Sequence, residues 1–431
     1  FDAGGFDYDQ LVFNFSGVRQ YELGGLASPL NVAAGLEARR EAYSISAGEP
    51  DSWRNGGVLL PNGAPTASGA QVFPGFRPEN VVDEDRTAVG AYVDVEANLT
   101  ERFLGSVALR VEDYSDFGSN VSGKLAGRFD FTESVALRGS LQNGFRAPSL
   151  QQQYFATTST NFINGVPFDI ATFPVSDPVA RALGAQPLDA EESVNFSLGV
   201  VLRFADVTVT VDAYRIDIDD RIVLSENLTQ ANVRQYLESL GFVGIGGGRF
   251  FINGVDTETK GVDLVVNWPW ETSGAGKFDF TFVANWNDTE VTKVPATEPL
   301  AALNPPPPLF ARVNVLTFEE GTPQDKYAAI VNWSLDRFGA TARATRYGEV
   351  LDPGTTEVLD VKLGSETLVD LEGRFDVTER IRVALGAENV FDEYPDAFPV
   401  TRNTTGNTPF SNYAPFGRSG RFLYGRVSFG F

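Results

Sequence analysis

The sequence of 431 residues contains no cysteine, no histidine and no methionine. Without cysteine the chain forms no disulfide and has neither a thiolate nucleophile nor a cysteine-ligated zinc site. Without histidine it lacks the commonest general base of enzymes, and only oxygen ligands remain for a metal. We therefore expect that the protein is not an enzyme, and we assign no catalytic residue, no metal site and no cofactor.

The sequence also has no long apolar segment and no excess of positive charge. No run reaches the roughly 18 apolar residues that a membrane-spanning helix needs, so we exclude such a helix. The 34 Lys and Arg residues against 57 Asp and Glu residues give a net charge of −23, which repels phosphate backbones and argues against nucleic acid as a partner. Because the first residue is Phe1 rather than methionine, we expect that an N-terminal portion is missing from this sequence.

Apolar and polar residues alternate with a period of two along most of the chain, which is the pattern of a β-strand. Between residues 88 and 99 the two sets are Val89, Ala91, Val93, Val95, Ala97 and Leu99 on one face, and Tyr92, Asp94, Glu96 and Asn98 on the other. The pattern recurs in about 15 segments of roughly 10 to 15 residues, longer than the roughly 5 to 6 residues of soluble strands. An all-β, antiparallel fold follows, with strands long enough for a tilted crossing of a bilayer.

The polar face of these strands carries charges in segment after segment, whereas a soluble β-sandwich has shorter strands and turns its aromatic residues inward. A transmembrane β-barrel with an apolar face toward lipid and a polar face toward its lumen explains the pattern. A charge on the lipid face would cost roughly 2 to 4 kcal/mol near the bilayer midplane, so we expect eight charged residues to face the lumen. They are Asp94, Glu96, Arg110, Lys124, Arg128, Arg138, Arg374 and Arg382. The apolar residues expected toward lipid include Val89, Val93, Val95, Leu125, Leu137, Leu198, Phe280 and Val383.

Short and long connections alternate along the chain. Outer-membrane barrels show the same alternation, with short periplasmic turns and long extracellular loops. Tight turns are predicted at residues 100–101, 132–133, 205–206, 336–337 and 378–379. When strand directions are assigned from the C-terminus backwards, the first and last strands run in the same direction. The number of strands in this sequence is therefore odd. Single-chain bacterial barrels have even numbers, and about seven further strands would give the 22 of a plugged transporter.

Four segments carry a resemblance to a known family. They are residues 143–150 (NGFRAPSL), 259–264 (TKGVDL), 387–395 (AENVFDEYP) and the tail 415–431, which ends on the aromatic Phe431. In their order and spacing the segments resemble the TonB-dependent receptors, active transporters of the bacterial outer membrane. In the tail, Leu423, Val427 and Phe429 share a face with Phe431, and Tyr424, Arg426 and Ser428 are expected to face the lumen.

The resemblance implies a fold, a location and a set of partners. Residues 1–431 would form a single, partial β-barrel domain, with about 15 strands of a probable 22, and the N-terminal plug domain of the family would not be present in this chain. The expected partners are outer-membrane lipid and lipopolysaccharide, the plug domain, and the TonB energising complex, reached through the missing N-terminal portion. The implied function is active uptake of a scarce, bulky solute such as a siderophore, a cobalamin-like compound or an oligosaccharide.

Three other functions stay open from the residues alone. The barrel could be a passive porin, although without a plug a barrel of this size would be a wide hole. It could be a structural barrel of the outer membrane, completed by another chain, which the odd strand number leaves possible. An outer-membrane protease or lipase is disfavoured by the absence of histidine.

Six residues near the extracellular ends of strands or in loops are candidates for contact with the solute: Arg146, Gln152, Tyr154, Phe155, Arg346 and Tyr347. We also expect leftover lumen arginines to face the plug, and the acidic residues Asp94 and Glu96 to pair with Arg110 on the next strand. Aromatic residues near strand ends are predicted to form girdles at the membrane surfaces: Tyr43, Tyr114, Tyr214, Trp268, Trp286 and Trp333. Residues 230 to 240 have the spacing of a short amphipathic helix.

Overall fold

The structure is a computed structural model that describes residues 2–61, 63, 66–69, 74–163, 166–242, 245–403, 406–407 and 409–430. The predicted aromatic terminus Phe431 lies outside the described residues. The strands are Gly4–Tyr21 (β1), Leu30–Ala47 (β2), Val82–Thr100 (β3), Phe103–Tyr114 (β4), Gly118–Thr132 (β5), Val135–Arg146 (β6), Thr157–Ile163 (β7), Val166–Phe173 (β8), Glu191–Phe204 (β9), Val207–Leu224 (β10), Gly248–Thr272 (β11), Gly276–Lys293 (β12), Asp325–Leu335 (β13), Phe338–Tyr347 (β14), Val350–Asp352 (β15), Val361–Leu363 (β16), Glu366–Thr378 (β17), Ile381–Glu388 (β18) and Phe422–Phe429 (β19).

Helical segments are short and lie in the connections. They are Pro50–Trp53 (α1), Leu150–Tyr154 (α2), Pro178–Ala182 (α3), Ala231–Ser239 (α4), Glu298–Ala301 (α5) and Arg312–Glu319 (α6), with single 3₁₀ turns at Pro78–Asn80 and Glu357–Leu359. The predicted helix within residues 230 to 240 is confirmed as α4. In the described part of the chain, no helix has both the length and the apolar character to cross a membrane.

Among the described residues, fifteen strands form the wall by antiparallel pairing of neighbours in chain order: β1 to β6, β9 to β14, and β17 to β19. The remaining strands lie in loops, where β7 and β8 form a hairpin that meets the start of β11, and β15 pairs with β16. The predicted all-β antiparallel barrel and its strand number are therefore confirmed. All five predicted tight turns are two-residue connections, of which 205–206 and 336–337 lie as predicted and the other three lie one residue later, at 101–102, 133–134 and 379–380.

The outward face of the wall is apolar, as the alternation predicted. Among the eight residues expected toward lipid, Val89, Val93, Leu125 and Leu198 are between 38% and 59% exposed. The other four, Val95, Leu137, Phe280 and Val383, are half-buried, and none of the eight is buried. Phe280, for example, is covered in part by the rings of Trp268 and Phe278 on the same face.

The predicted aromatic girdles are wrong for the three tyrosines. Tyr43 and Tyr114 are buried on the lumen side, and the ring of Tyr214 lies over Gly261 on the same side. In the alternation of their strands, all three tyrosines fall among the polar, lumen-facing positions. Closeness to a strand end therefore does not determine which face a tyrosine side chain takes. Trp268, Trp286 and Trp333 do lie on the outward face, where Trp268 stacks on Phe280 with 5.0 Å between ring centroids.

The strand register gives the tilt of the wall. Lys260 on β11 and Arg346 on β14 are the first outward-facing charges above the apolar band. When the strand pairings are followed from β14 through β13 and β12 to β11, Arg346 lies opposite Leu264. Leu264 is four residues from Lys260, and the positions of Lys260 and Arg346 are three strands apart. Because a membrane surface is planar, a shift of about 13 Å along the strands over about 14 Å across them corresponds to a tilt of roughly 40°. This value lies within the roughly 35 to 45° of transmembrane barrels.

The extracellular loops have apolar cores of their own. The largest joins α3, α4, α5 and the start of β11 through buried side chains that include Leu183, Leu228, Val233, Leu237, Phe250 and Leu300. A second cluster packs α2 against β2 through Tyr43, Ile45 and Leu150. These cores make the long loops a packed cap on the extracellular end of the wall.

Candidate ligand site in the upper lumen

The lumen face of the wall is a series of ion pairs. The register places all eight predicted lumen charges on the polar face of their strands. Five of them pair at 2.5 to 3.6 Å with a carboxylate: Arg110 with Glu112, Arg128 with Asp130, Arg138 with Asp212, Arg374 with Glu372, and Arg382 with Asp376. Most of the positive charge of the wall is therefore neutralised within the wall.

The expected pairing of Asp94 and Glu96 with Arg110 is wrong. Arg110 pairs instead with Glu112 of its own strand at 2.8 Å and with Glu37 of β2 at 3.3 Å. The register sets Arg110 opposite Tyr92, so that the nearer carboxylates lie toward the extracellular side. Within the described part of the chain, Asp94, Glu96 and Lys124 make no ion pair within 4 Å. Among the eight predicted lumen charges, the cation without an ion pair in the described part of the chain is Lys124, and whether lumen arginines face a plug stays a prediction.

Arg146, a candidate for solute contact, anchors a charged cluster at the extracellular end of the lumen. Its guanidinium makes a bidentate interaction with the buried carboxylate of Glu191, with a distance of 2.8 Å from Nε to Oε2. Glu191 also accepts a hydrogen bond of 2.7 Å from the backbone N–H of Ile222. The pair thus ties β6, β9 and β10 together, while about half of the Arg146 side chain stays accessible.

A second arginine, which the sequence did not single out, completes the Arg146 cluster. Arg221 donates to the hydroxyl of Thr257 at 3.1 Å, and its guanidinium lies 4.6 Å from the ring centroid of Phe318 in α6. Arg221 also interacts electrostatically with both Glu191 and Arg146, so two guanidiniums beside one carboxylate leave a net positive charge next to the ring of Phe318. Such a cluster favours an anionic ligand with aromatic groups, since guanidinium groups both stack on rings and bind oxyanions.

The three candidates around α2 have different structural roles. Gln152 closes a capping box with Ser149, in which each side chain meets the other residue's backbone N–H at 3.0 Å. Tyr154 and Phe155 pack against the apolar cluster below α2, and Phe155 meets Phe76 edge to face. Burial raises the pKa of the Tyr154 phenol. These contacts orient the loop, and whether the three side chains also touch the solute stays a prediction.

A buried network beside α2 was not found from the sequence. Arg86 donates at 2.5 Å both to the carboxylate of Glu41 and to the carbonyl oxygen of Pro148, and its guanidinium also lies over the ring of Tyr114. The Glu41 carboxylate also accepts from the hydroxyl of Tyr8. The network holds the 143–150 segment against β1, β2 and β3. Extending the alternation upward from residue 88 would have placed Arg86 on the lumen face.

The last two candidates lie on opposite faces of β14. Tyr347 faces the lumen, where its ring lies tilted against Phe416 with 5.8 Å between centroids and the ammonium of Lys326 lies 4.7 Å from its centroid. Arg346 faces outward, pairs with Asp325 at 3.1 Å and lies over the ring of Tyr327. Adjacent residues of a strand point to opposite faces, so the alternation alone excludes a lumen position for both. In the structure Arg146, the α2 residues and Tyr347 belong to separate groups of contacts.

Comparison with known proteins gives this wall a family. The family model described as "TonB dependent receptor-like, beta-barrel" matches residues 2–390. The chain belongs to the TonB-dependent receptor β-barrel family. A curated relative, the ferric enterobactin receptor PirA of Pseudomonas aeruginosa, is 28% identical over 137 residues, which cover 31% of this chain and 17% of that protein.

Solved structures of other TonB-dependent receptors share the fold. The siderophore receptor PirA of Acinetobacter baumannii aligns over 99% of this chain and 55% of its own, with a TM-score of 0.63 and 15% identity. A mutant of the ferric enterobactin receptor PfeA of Pseudomonas aeruginosa aligns over 99% and 54%, with a TM-score of 0.66 and 15% identity. The chain spans about half the length of these receptors. As a TonB-dependent receptor barrel it is a protein of the bacterial outer membrane, from a family of transport receptors.

Proposed function

We propose that the intact protein takes up a ferric siderophore across the outer membrane, energised through TonB and gated by a plug domain inside the wall. The observation that carries this proposal is the Arg146 cluster, a net positive group beside the ring of Phe318 at the extracellular end of the lumen. Catecholate siderophore complexes are anionic and aromatic, and relatives named as ferric enterobactin receptors support that substrate class. Passive permeation and enzymatic activity are not expected.

Uptake is tested in a strain that lacks its own ferric enterobactin receptors and expresses the full-length gene product. We expect growth on ferric enterobactin under iron limitation, and no growth when TonB is deleted. Equal uptake with and without TonB would support the passive porin instead. Growth with vitamin B12 or an oligosaccharide, but not with ferric enterobactin, would keep active transport and reject the siderophore.

The role of Arg146 has a matched control in Arg346, since both are exposed arginines paired with a carboxylate near the extracellular strand ends. Replacing Arg146 by Gln removes a charged contact from the lumen and is expected to weaken ferric enterobactin binding about tenfold. Arg346→Gln removes the same charge from the outward face and should leave binding unchanged. Equal effects of the two substitutions would show that the Arg146 cluster is not the binding site.

A further inference from the structure

The charges of the lumen face are distributed unevenly around the wall. Six of the eight predicted lumen charges lie on β3 to β6, and the other two lie on β17 and β18. Carboxylates such as Glu112 and Glu372 add further charge to both groups of strands. On β12 and β13, by contrast, the lumen-facing positions between residues 281 and 289 and between residues 328 and 334 carry no charge. We call these positions of β12 and β13 the neutral sector.

The polar groups of the neutral sector are amides and hydroxyls that hydrogen-bond to one another and to the adjacent strands. Asn287 donates to Asn285 at 2.8 Å, and Thr281 donates to Asn267 of β11 at 3.1 Å. On the other side, a threonine hydroxyl of β14 donates to Asn332 at 2.7 Å. Neutral groups of this kind exchange a protein partner for water at little net cost in free energy.

Charged residues border the neutral sector without lying inside it. Asp263 of β11 accepts a hydrogen bond of 2.7 Å from an amide of the sector. Lys326 lies at the extracellular end of the sector, and Lys277 and Asp279 lie at its periplasmic end. Arg343 of β14 pairs at 3.8 Å with a carboxylate of β17, on the side away from the sector. The sector is therefore an uncharged strip of wall between charged edges.

The extracellular end of the neutral sector adjoins the Arg146 cluster. Val291 of β12 is paired with Thr257 of β11, and the hydroxyl of Thr257 accepts the hydrogen bond from Arg221. One lumen-facing position closer to the periplasm, Thr289 and Thr259 share a hydrogen bond of 2.9 Å between their hydroxyls. A solute that leaves the Arg146 cluster toward the periplasm therefore meets the neutral sector next.

We infer that the solute crosses the lumen along the neutral sector, because this is the side on which the plug separates from the wall. The inference rests on the proposed function, which places a plug inside the wall. Between plug and wall, breaking an ion pair costs more free energy than exchanging a neutral hydrogen bond for water. The plug therefore stays attached to the charged strands, and a gap opens against β12 and β13. Neutral groups also suit passage, since a permeation path must bind its solute weakly enough to release it.

The test compares the accessibility of two alanines in different sectors of the wall. Ala328 of β13 and Ala126 of β5 both face the lumen, are both half-buried, and lie at similar distances from the periplasmic ends of their strands. Each is replaced by cysteine, as the only cysteine of the full-length protein, and reacted in cells with a membrane-impermeant methanethiosulfonate. During uptake of ferric enterobactin, Ala328→Cys is expected to react at least about tenfold faster than in the absence of TonB, and Ala126→Cys should react equally in both conditions.

The attached label gives a second measurement. Labelled Ala328→Cys should bind ferric enterobactin like the parent but take it up at least about tenfold more slowly, whereas labelled Ala126→Cys should keep both binding and uptake. The inference is overturned if the two cysteines react alike during uptake, or if labelled Ala328→Cys takes up the solute as fast as the unlabelled variant. If the parent shows no TonB-dependent uptake, the proposed function fails and the inference fails with it.

Discussion

The ion pair between Arg138 and Asp212 joins strands that are not neighbours, and it depends on a glycine. Arg138 on β6 and Asp212 on β10 both lie opposite Gly199 of the strand between them. Arg138 donates from Nε and Nη2 to the two carboxylate oxygens at 2.8 and 2.5 Å. A Cβ atom on Gly199 would lie 1.9 Å from Oδ1 of Asp212, so we predict that Gly199→Ala separates the pair.

Two opposing effects determine how much Gly199→Ala changes the free energy of unfolding. A hydrogen bond to a charged group contributes about 1.5 to 3 kcal/mol when sheltered, but Arg138 is 47% and Asp212 26% exposed, so solvent screening lowers the estimate to about 1 kcal/mol. Replacing glycine by alanine in a strand gains roughly 0.5 to 1 kcal/mol from the unfolded chain. Gly199→Ala by itself should therefore change the free energy of unfolding by less than about 1 kcal/mol.

A double-mutant cycle isolates the pair from the glycine effect. In the parent, Asp212→Asn is expected to cost about 1 kcal/mol, measured by urea unfolding in lipid vesicles, and in the Gly199→Ala background it should cost nearly nothing. The control background is Gly373→Ala on β17, where a Cβ meets nothing within 4 Å and Asp212→Asn should keep its full cost. An Asp212→Asn cost that is the same in all three backgrounds would refute the reasoning.

Three other predictions concern a packed ring, a loop ion pair and a helix cap. Gly261→Ala should cost about 1 to 3 kcal/mol of unfolding free energy, because its Cβ would lie 2.3 Å from the Tyr214 ring, and a cost no larger than that of Gly373→Ala would contradict this. Arg312 and the Gly354 N–H lower the pKa of Asp360 to about 2. The parent should therefore be more stable than Asp360→Asn by its full margin above about pH 4, and this margin should be lost as the pH falls to about 2. A margin that does not change with pH would contradict the prediction. Gln152→Ala should remove about 1 kcal/mol of capping from α2 and speed proteolysis near residues 150–156 relative to Gln151→Ala, and equal rates would contradict it.

The class of the fold and the faces of its strands could be predicted from the amino-acid pattern alone. A period of two over 10 or more residues has few other structural solutions, and the cost of a charge in lipid decides which face is inward. The tight turns followed from the ends of the alternating segments. These are local properties, readable wherever the pattern is long.

The lateral relation between strands could be seen only in the folded chain. Alternation says that Arg110, Asp94 and Glu96 share the lumen face, but only the register shows that Arg110 meets Glu37 and Glu112 instead. The alternation of apolar and polar residues stops where a long loop begins. The pattern therefore assigns a residue near a strand end, such as Tyr114, to a membrane girdle although it is buried in the lumen. The Arg146 cluster depends on contacts across four strands and a loop helix, which the alignment of β6, β9, β10 and β11 brings together. Such alignments arise from pairing between distant segments, which no periodicity within one segment encodes.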